Sequence, residues 1–196
     1  MAGRPRDPDL EVRLLAATWS LLLAEGYDDL SFAKIAVEAN AHRSDIYRRW
    51  PTKAQLVTAA VAEHQPPMAD VDTGSLRGDL RAILDDTEAR WSSASAAAIV
   101  AWLADLRRDP VAGHAHREMA RRGSQPLLTA LARAVQRGEI PERVDLTRAA
   151  VLAGNLIEGP LMHNHVFLQP RLSSADLDVL AESVLRVLTE QLGEDR

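Results

Sequence analysis

The chain contains no cysteine, which excludes disulfides and thiolate metal sites. No uninterrupted apolar run is long enough to span a bilayer. No apolar stretch behind a positive start reads as a secretory signal, so the expected location is the cytoplasm and no membrane partner is expected. Lysine is almost missing: of 23 basic residues only Lys34 and Lys53 are lysine, the rest being arginine. No segment alternates polar and apolar residues over a convincing length, so strands are not expected. There is no internal repeat and no long low-complexity tract. Signatures of catalysis are missing too: no nucleophile–base pattern, no glycine-rich phosphate loop and no carboxylate–histidine metal motif. Neither an enzyme nor a cofactor is expected.

A general basic field is also lacking. The formal net charge is −5. Residues 1–53 carry eight basic and eight acidic side chains, so the whole acidic excess falls in the remainder. Any contact with nucleic acid must come from local placement rather than bulk charge. An ordinary acidic protein fits the total equally well.

What is present is helix. Hydrophobic residues make up 46% of 196 positions, enough for a proper core. Gly3-Arg4-Pro5-Arg6-Asp7-Pro8 is too rich in proline and glycine for a helix and reads as a flexible arm. Asp7 or Asp9 can cap a helix to about residue 24, with Leu15, Trp19 and Leu22 at helical spacing. Gly26 ends it as a C-terminal cap. Ser31 caps Phe32–Ala39, whose inward face is Phe32, Ile35 and Ala36. Asn40 occupies a sharp turn, and asparagine tolerates positive φ better than most residues. Arg43–Trp50 makes two turns, stopped by Pro51, and Thr52 caps a further helix from Lys53 to about His64. Residues 64–74 are polar and marked by Pro66 and Pro67, the best boundary in the chain. Beyond it the spacing predicts helices over roughly 75–94, 96–108, 110–137 with an interruption at 123–126, 146–166 and 174–192. The fold class expected is all-α.

On the short helix from Arg43, a step of about 100° per residue puts Arg43, Ser44, Tyr47 and Arg48 within roughly 140° of arc. Ile46 and Trp50 lie opposite and can anchor the helix to Phe32 and Ile35. This suits a helix-turn-helix in a major groove, where arginine binds guanine bidentately and serine or tyrosine meets phosphates or base edges. The bland alternative is a solvated cationic face. Lys53 in the first turn of its helix opposes the helix dipole, whereas a phosphate there would meet both the ammonium and free backbone N–H groups. Lys34, beside the Ser31 cap, invites the same reading. Arg4 and Arg6 could enter an adjacent minor groove or belong to a solvated tail.

Gly26-Tyr27, Leu30-Ser31-Phe32, Ile35-Ala36 and Ile46-Tyr47-Arg48-Arg49-Trp50-Pro51-Thr52-Lys53, with Leu56, resemble the N-terminal domain of TetR-family transcriptional regulators over residues 4–60. The resemblance implies a three-helix DNA-binding domain with a helix-turn-helix (residues 1–52, arm included). A larger helical-bundle domain for effector binding and dimerisation follows (residues 53–196, with 53–64 a connecting helix). It also implies a homodimer that releases a palindromic double-stranded DNA operator on binding a small molecule, as a repressor. Two positions depart from the family pattern. Asn40 replaces the usual turn glycine. Asp45 stands where a phosphate-contacting threonine or serine is usual, and its carboxylate is expected to pair with Arg49 one turn later.

The family dimerises through two helices from each subunit. Candidate seam residues are Ala149, Ala153 and Leu156 on one helix and Leu177, Leu180, Ala181, Val184 and Leu188 on the last. The same stripes could instead pack on the chain's own core. Asn155, Glu158, Met162 and His165 form a polar stripe that can line an effector pocket, with Trp91 and Trp102 as aromatic walls. A solvated face or a patch at the dimer seam fits that stripe as well. His114/His116 and His163/His165 cannot chelate one ion within a helix, since residues two apart point about 200° from each other. No metal is expected. Rival readings are a helical interaction protein whose helix-turn-helix only packs, and an activator without a small-molecule effector.

Overall fold

The computed structural model describes residues 9–66, 68–93, 95–168 and 171–191. Arg4 and Arg6, read above as a basic arm, lie outside the described residues. In chain order the helices are α1 (Leu10–Asp29), α2 (Phe32–Glu38), α3 (Arg43–Arg49), α4 (Lys53–His64), α5 (Leu76–Trp91), α6 (Ser95–Leu106), α7 (Pro110–Gly123), α8 (Gln125–Gln136), α9 (Leu146–His163) and α10 (Ser174–Arg186). Among the described residues there is no strand, as the lack of period-two patterning predicts, and the chain is all-α. No helix among them is long and apolar enough to cross a membrane. The chain divides into two compact units, residues 1–66 with 94–119 and residues 67–93 with 120–196.

In the first unit α1, α4 and α6 pack on one another, α2 packs on α1, and α3 packs on α2. Leu14, Leu22, Leu56, Val57, Ala60 and Val61 close the core with Trp102 of α6. Gly26, at φ 83 and ψ 174, breaks α1 three residues before its end. That backbone suits glycine alone, and the break turns Tyr27 into the core at 3% exposure. Ser31 and Thr52 cap α2 and α4 as expected, accepting from the amides of Lys34 and Gln55. The division expected at residues 52 and 53 falls inside this unit, because α4 shares one apolar cluster with α1. α6 and the first part of α7 belong here too.

In the second unit α5 packs on α8, α9 and α10, and α9 packs on α8 and α10. Leu76, Leu80, Leu84, Leu131, Ile140 and Ile157 are its largest buried aliphatic side chains. The caps are again local. Asp145 accepts from the amides of Thr147 and Arg148, and Ser173 with Asp176 forms a reciprocal capping box. The polar stretch before α5 is fastened to this unit: Arg133 binds the Asp70 carboxylate at 3.0 Å. Asp79, fully buried, accepts from the Thr73 amide and hydroxyl at 2.7 Å each and faces Arg137 at 3.3 Å. A buried carboxylate persists only when paired in this way. α9 carries Pro160 and widens into a π-helical turn at Asn164–Leu168.

The residues chosen above as the dimer seam correct the choice of face. Ala149, Ala153, Leu177, Ala181, Val184 and Leu188 are all at most 4% exposed and form the unit's own core, with Leu156 and Leu180 partly buried beside them. The most continuous apolar stripe of an amphipathic helix satisfies its own core first. The large apolar side chains that α9 and α10 leave exposed are Val151, Met162 and Val179.

Candidate nucleic-acid interface

α3 is seven residues long and only Ile46 in it is buried. Ile46 is fully enclosed, with Phe32, Ile35 and Ala36 of α2 in the same cluster. Covering such a side chain is worth about 1.5–3 kcal/mol, enough to pin a two-turn helix that would not persist alone. The chain reaches α3 through Asn40, whose φ of 49° is the left-handed conformation that the sequence places there. Trp50, partly buried against the cluster, closes the helix with its amide on the Ile46 carbonyl.

This leaves Arg43, Ser44, Tyr47 and Arg48 together on an exposed face. Tyr47 rests edge-on against Phe32, with centroids 4.6 Å apart, and keeps 48% of its surface exposed. The Asp45 carboxylate does not pair with Arg49. It binds Arg48 at 2.8 Å, while Arg49 donates to the Asp45 carbonyl at 3.1 Å and lies 3.9 Å from Glu11. The correction is geometric, since on a helix i,i+3 and i,i+4 positions are equally near and Arg49 already has its own backbone acceptor.

The lysines are tethered by the end of α1. Lys34 binds Glu25 at 2.6 Å and the Asp29 carbonyl at 3.0 Å. That hydrogen bond raises its ammonium above the ordinary lysine value despite the opposing effect of desolvation. Lys53 donates to the carbonyls of Tyr27 and Asp28 at 2.8 and 3.4 Å and sits 4.2 Å from the Tyr27 ring centroid. Its unfavourable place at the start of α4 is thus offset by favourable contacts at the end of α1. Ser31 is occupied as the cap of α2.

Of the six side chains proposed for an effector pocket, Trp102 lies in the first unit and the other five in the second. Trp102 belongs to the core of the first unit at 2% exposure. Its indole donates to Thr58 at 3.1 Å and its ring stands on edge to His116. A buried tryptophan needs one acceptor, and Thr58 supplies it. In the second unit Trp91 donates to Glu158 at 2.8 Å, and His165 meets Glu88 at 3.1 Å. Asn155 and Met162 are exposed. A concavity of about 270 Å³ in this unit is lined instead by Met68, Asp70, Arg122, Gly123, Gln125, Pro126 and Thr129. Sequence reading missed Glu88, which is 8% exposed. Nothing in its local pattern distinguishes it from a surface glutamate. Each histidine of the two close pairs has its own neighbour: Glu118 for His114, Trp102 for His116, Phe167 for His163 and Glu88 for His165.

A two-turn helix pinned by one isoleucine behind a tight turn, with its polar face outward, is a helix-turn-helix of the DNA-binding kind. Comparison with known proteins agrees over most of the chain. Residues 14–60 match the family model described as bacterial regulatory proteins of the tetR family, and residues 70–184 match the tetracyclin repressor-like C-terminal domain. An uncharacterized HTH-type transcriptional regulator of Mycobacterium tuberculosis is 33% identical over 95% of each chain. A DNA-binding transcriptional repressor of Mycobacteroides abscessus is also 33% identical, over 89% of this chain and 91% of that one. The crystal structure of the TetR family transcription regulator SCO0332 superposes with a TM-score of 0.69 at 22% identity, covering 90% of this chain and 97% of the other. The chain belongs to the TetR family of transcriptional regulators.

Proposed function

We propose that the protein is a homodimeric repressor that binds a palindromic operator and is released from it by a small molecule. The observation that carries the DNA half of this reading is the exposed Arg43, Ser44, Tyr47 and Arg48 face of α3, set against buried Ile46. Arg43 and Arg48 are the base-reading candidates, Tyr47 and Ser44 the phosphate or base-edge contacts, and Lys53, Lys34 and Ser31 the phosphate-facing groups at two helix starts. Arg4 and Arg6 of the arm would add minor-groove contacts.

Seven residues of α3 read too few bases for a unique site. Two copies about 34–36 Å apart read both halves of a palindrome. The exposed apolar residues Val151, Met162 and Val179 of α9 and α10 support a second copy as the partner, held by the second unit, while α3 and the start of α4 in the first unit read DNA. The Mycobacteroides abscessus relative is named a repressor. FrrA, a flavonoid-responsive regulator, shares the fold at a TM-score of 0.64 and 21% identity. Trp91 with Glu158 and His165 with Glu88 are polar pairs of the second unit that an effector could meet. The ligand shifts the DNA-competent form only by its difference in affinity for the two forms.

The test is selection of bound sequences from a random duplex library by the purified chain, across a range of salt. Recovery of a palindrome with half-sites about one helical turn apart is the expected result. Weak binding without a motif, lost steeply with salt, would remove the operator reading.

A further inference from the structure

Two carboxylates at the corner between α6 and α7 close onto the end of α1 and the start of α4. Asp105, in the last turn of α6, accepts from the Tyr27 hydroxyl at 2.8 Å. The same Tyr27 carries Lys53 on its ring and its carbonyl, so Asp105 fixes the seat on which that ammonium rests. Burial and the Asp105 carboxylate push the Tyr27 phenol above its ordinary value.

Asp109 does more. Its Oδ1 accepts from the amides of Val111 and Ala112 at 3.0 Å each, which caps α7. Its Oδ2 accepts from the Thr52 hydroxyl at 2.5 Å and from the Gln55 side-chain amide at 3.0 Å. Thr52 in turn caps α4 by accepting from the Gln55 backbone amide at 3.2 Å. One carboxylate therefore joins the N-termini of two helices, where negative charge is favourable. A cap on α7 alone would need only a serine or asparagine. The reach to Thr52 and Gln55 uses acceptor directions that only a carboxylate has. Burial raises the Asp109 carboxyl, but the bonds from Thr52, Ala112, Gln55 and Val111 outweigh it and hold the group below the usual carboxylate value.

We propose that Asp109, together with Asp105 acting through Tyr27, positions the N-terminus of α4 for a DNA phosphate and so sets operator affinity without touching DNA. The proposal rests on the reading of α3 and the start of α4 as the DNA face. A phosphate at that helix start must meet backbone N–H groups and Lys53 in fixed geometry, and both stand on groups that these two carboxylates hold.

The test uses the full chain with Asp109→Asn, which keeps an acceptor for α7 but none for Thr52 and Gln55, and with Gln55→Leu, which leaves both helix caps in place. Hydrogen exchange in the free protein reads the Gln55 and Leu56 amides of α4 against those of Gly113 and His114 in α7. Fluorescence anisotropy reads operator affinity against salt. Asp109→Asn should speed exchange at Gln55 and Leu56 alone. It should also weaken operator binding by about tenfold and flatten the salt slope by about one unit, as loss of one phosphate contact requires. Unchanged exchange at Gln55 and Leu56 with unchanged affinity and slope overturns the proposal and leaves Asp109 as a cap of α7. Tighter operator binding overturns it too, since repulsion between carboxylate and phosphate would then dominate. If Asp109→Asn does not fold, Gln55→Leu decides the matter by operator affinity and salt slope, weaker binding with a flatter slope supporting the proposal and unchanged binding overturning it. If the native chain yields no operator, the reading of the DNA face fails, while exchange at Gln55 and Leu56 still decides whether Asp109 holds the start of α4.

Discussion

α3 and α9 are held in opposite ways. α3 buries one residue of seven, Ile46, and turns the rest outward or sideways. α9 buries Ala149, Ala150, Ala153, Ile157 and Leu161 along its whole length. A helix pinned at one point keeps a free polar face whose residues can be chosen for a partner. A helix pinned along a stripe has its composition set by packing. The first arrangement makes function visible as a motif, and the second hides it behind the requirements of a core.

The largest effect should come from removing the single pin. Ile46→Ala is expected to cost about 3 kcal/mol and to abolish DNA binding, because α3 has no second anchor of that size. Ile157→Ala, at a site 2% exposed, should cost a similar amount in urea denaturation while leaving the amides of α3 protected from exchange. Equal loss of α3 protection in both variants would erase the contrast. Next in size is Arg43→Ala on the free face. It should weaken operator binding by about 1–3 kcal/mol and relax preference at one base pair, with the melting temperature unchanged. An unaltered affinity would mean that the exposed face is only solvated.

A smaller effect is expected at Asp45. Its exposed pair with Arg48 is worth at most about 1 kcal/mol, and a carboxylate near phosphates is repulsive, so Asp45→Asn should tighten binding a few-fold. Weaker binding would show instead that Asp45 aims Arg48. The smallest is a pH effect at Asp109. Its folded-state carboxyl lies below the ordinary value of 3.8, so its contribution to stability is complete above that value and is lost as the pH falls through the depressed one. The difference in melting temperature between the native chain and Asp109→Asn should therefore close on acidification below about 3.8. A difference that persists at lower pH would mean that the carboxylate's charge is not what stabilises the corner.

The elements that could be read from sequence are those whose causes are local. Ser31 and Thr52 cap the helices they precede, Gly26 and Asn40 adopt positive φ, and Pro51 follows the end of α3. In each case the residue type and the bond it makes lie within a few positions of one another. The exposed quartet of α3 was visible for the same reason, since a helical wheel over two turns suffices once Ile46 is known to point inward.

The choice between equivalent local options was not visible. Asp45 had Arg48 and Arg49 at equal reach, and the Asp45 carbonyl and Glu11 engage Arg49. The apolar stripes of α9 and α10 suited a core or a seam, and α5 and α8 take them as core. Trp102 was a wall or a core residue until Thr58, 44 positions earlier, supplied its acceptor.

The sequence by itself determined an all-α chain, its helix ends and the outward face of α3, because periodicity, caps and turn residues act over a few residues. Only the tertiary structure decided where Lys53 rests, which face of α9 is covered, and that Asp105 and Asp109 reach Tyr27 and Thr52 across 78 and 57 positions. Such partners are fixed by how helices pack, and no local pattern records which distant residue will fill an acceptor's lone pair.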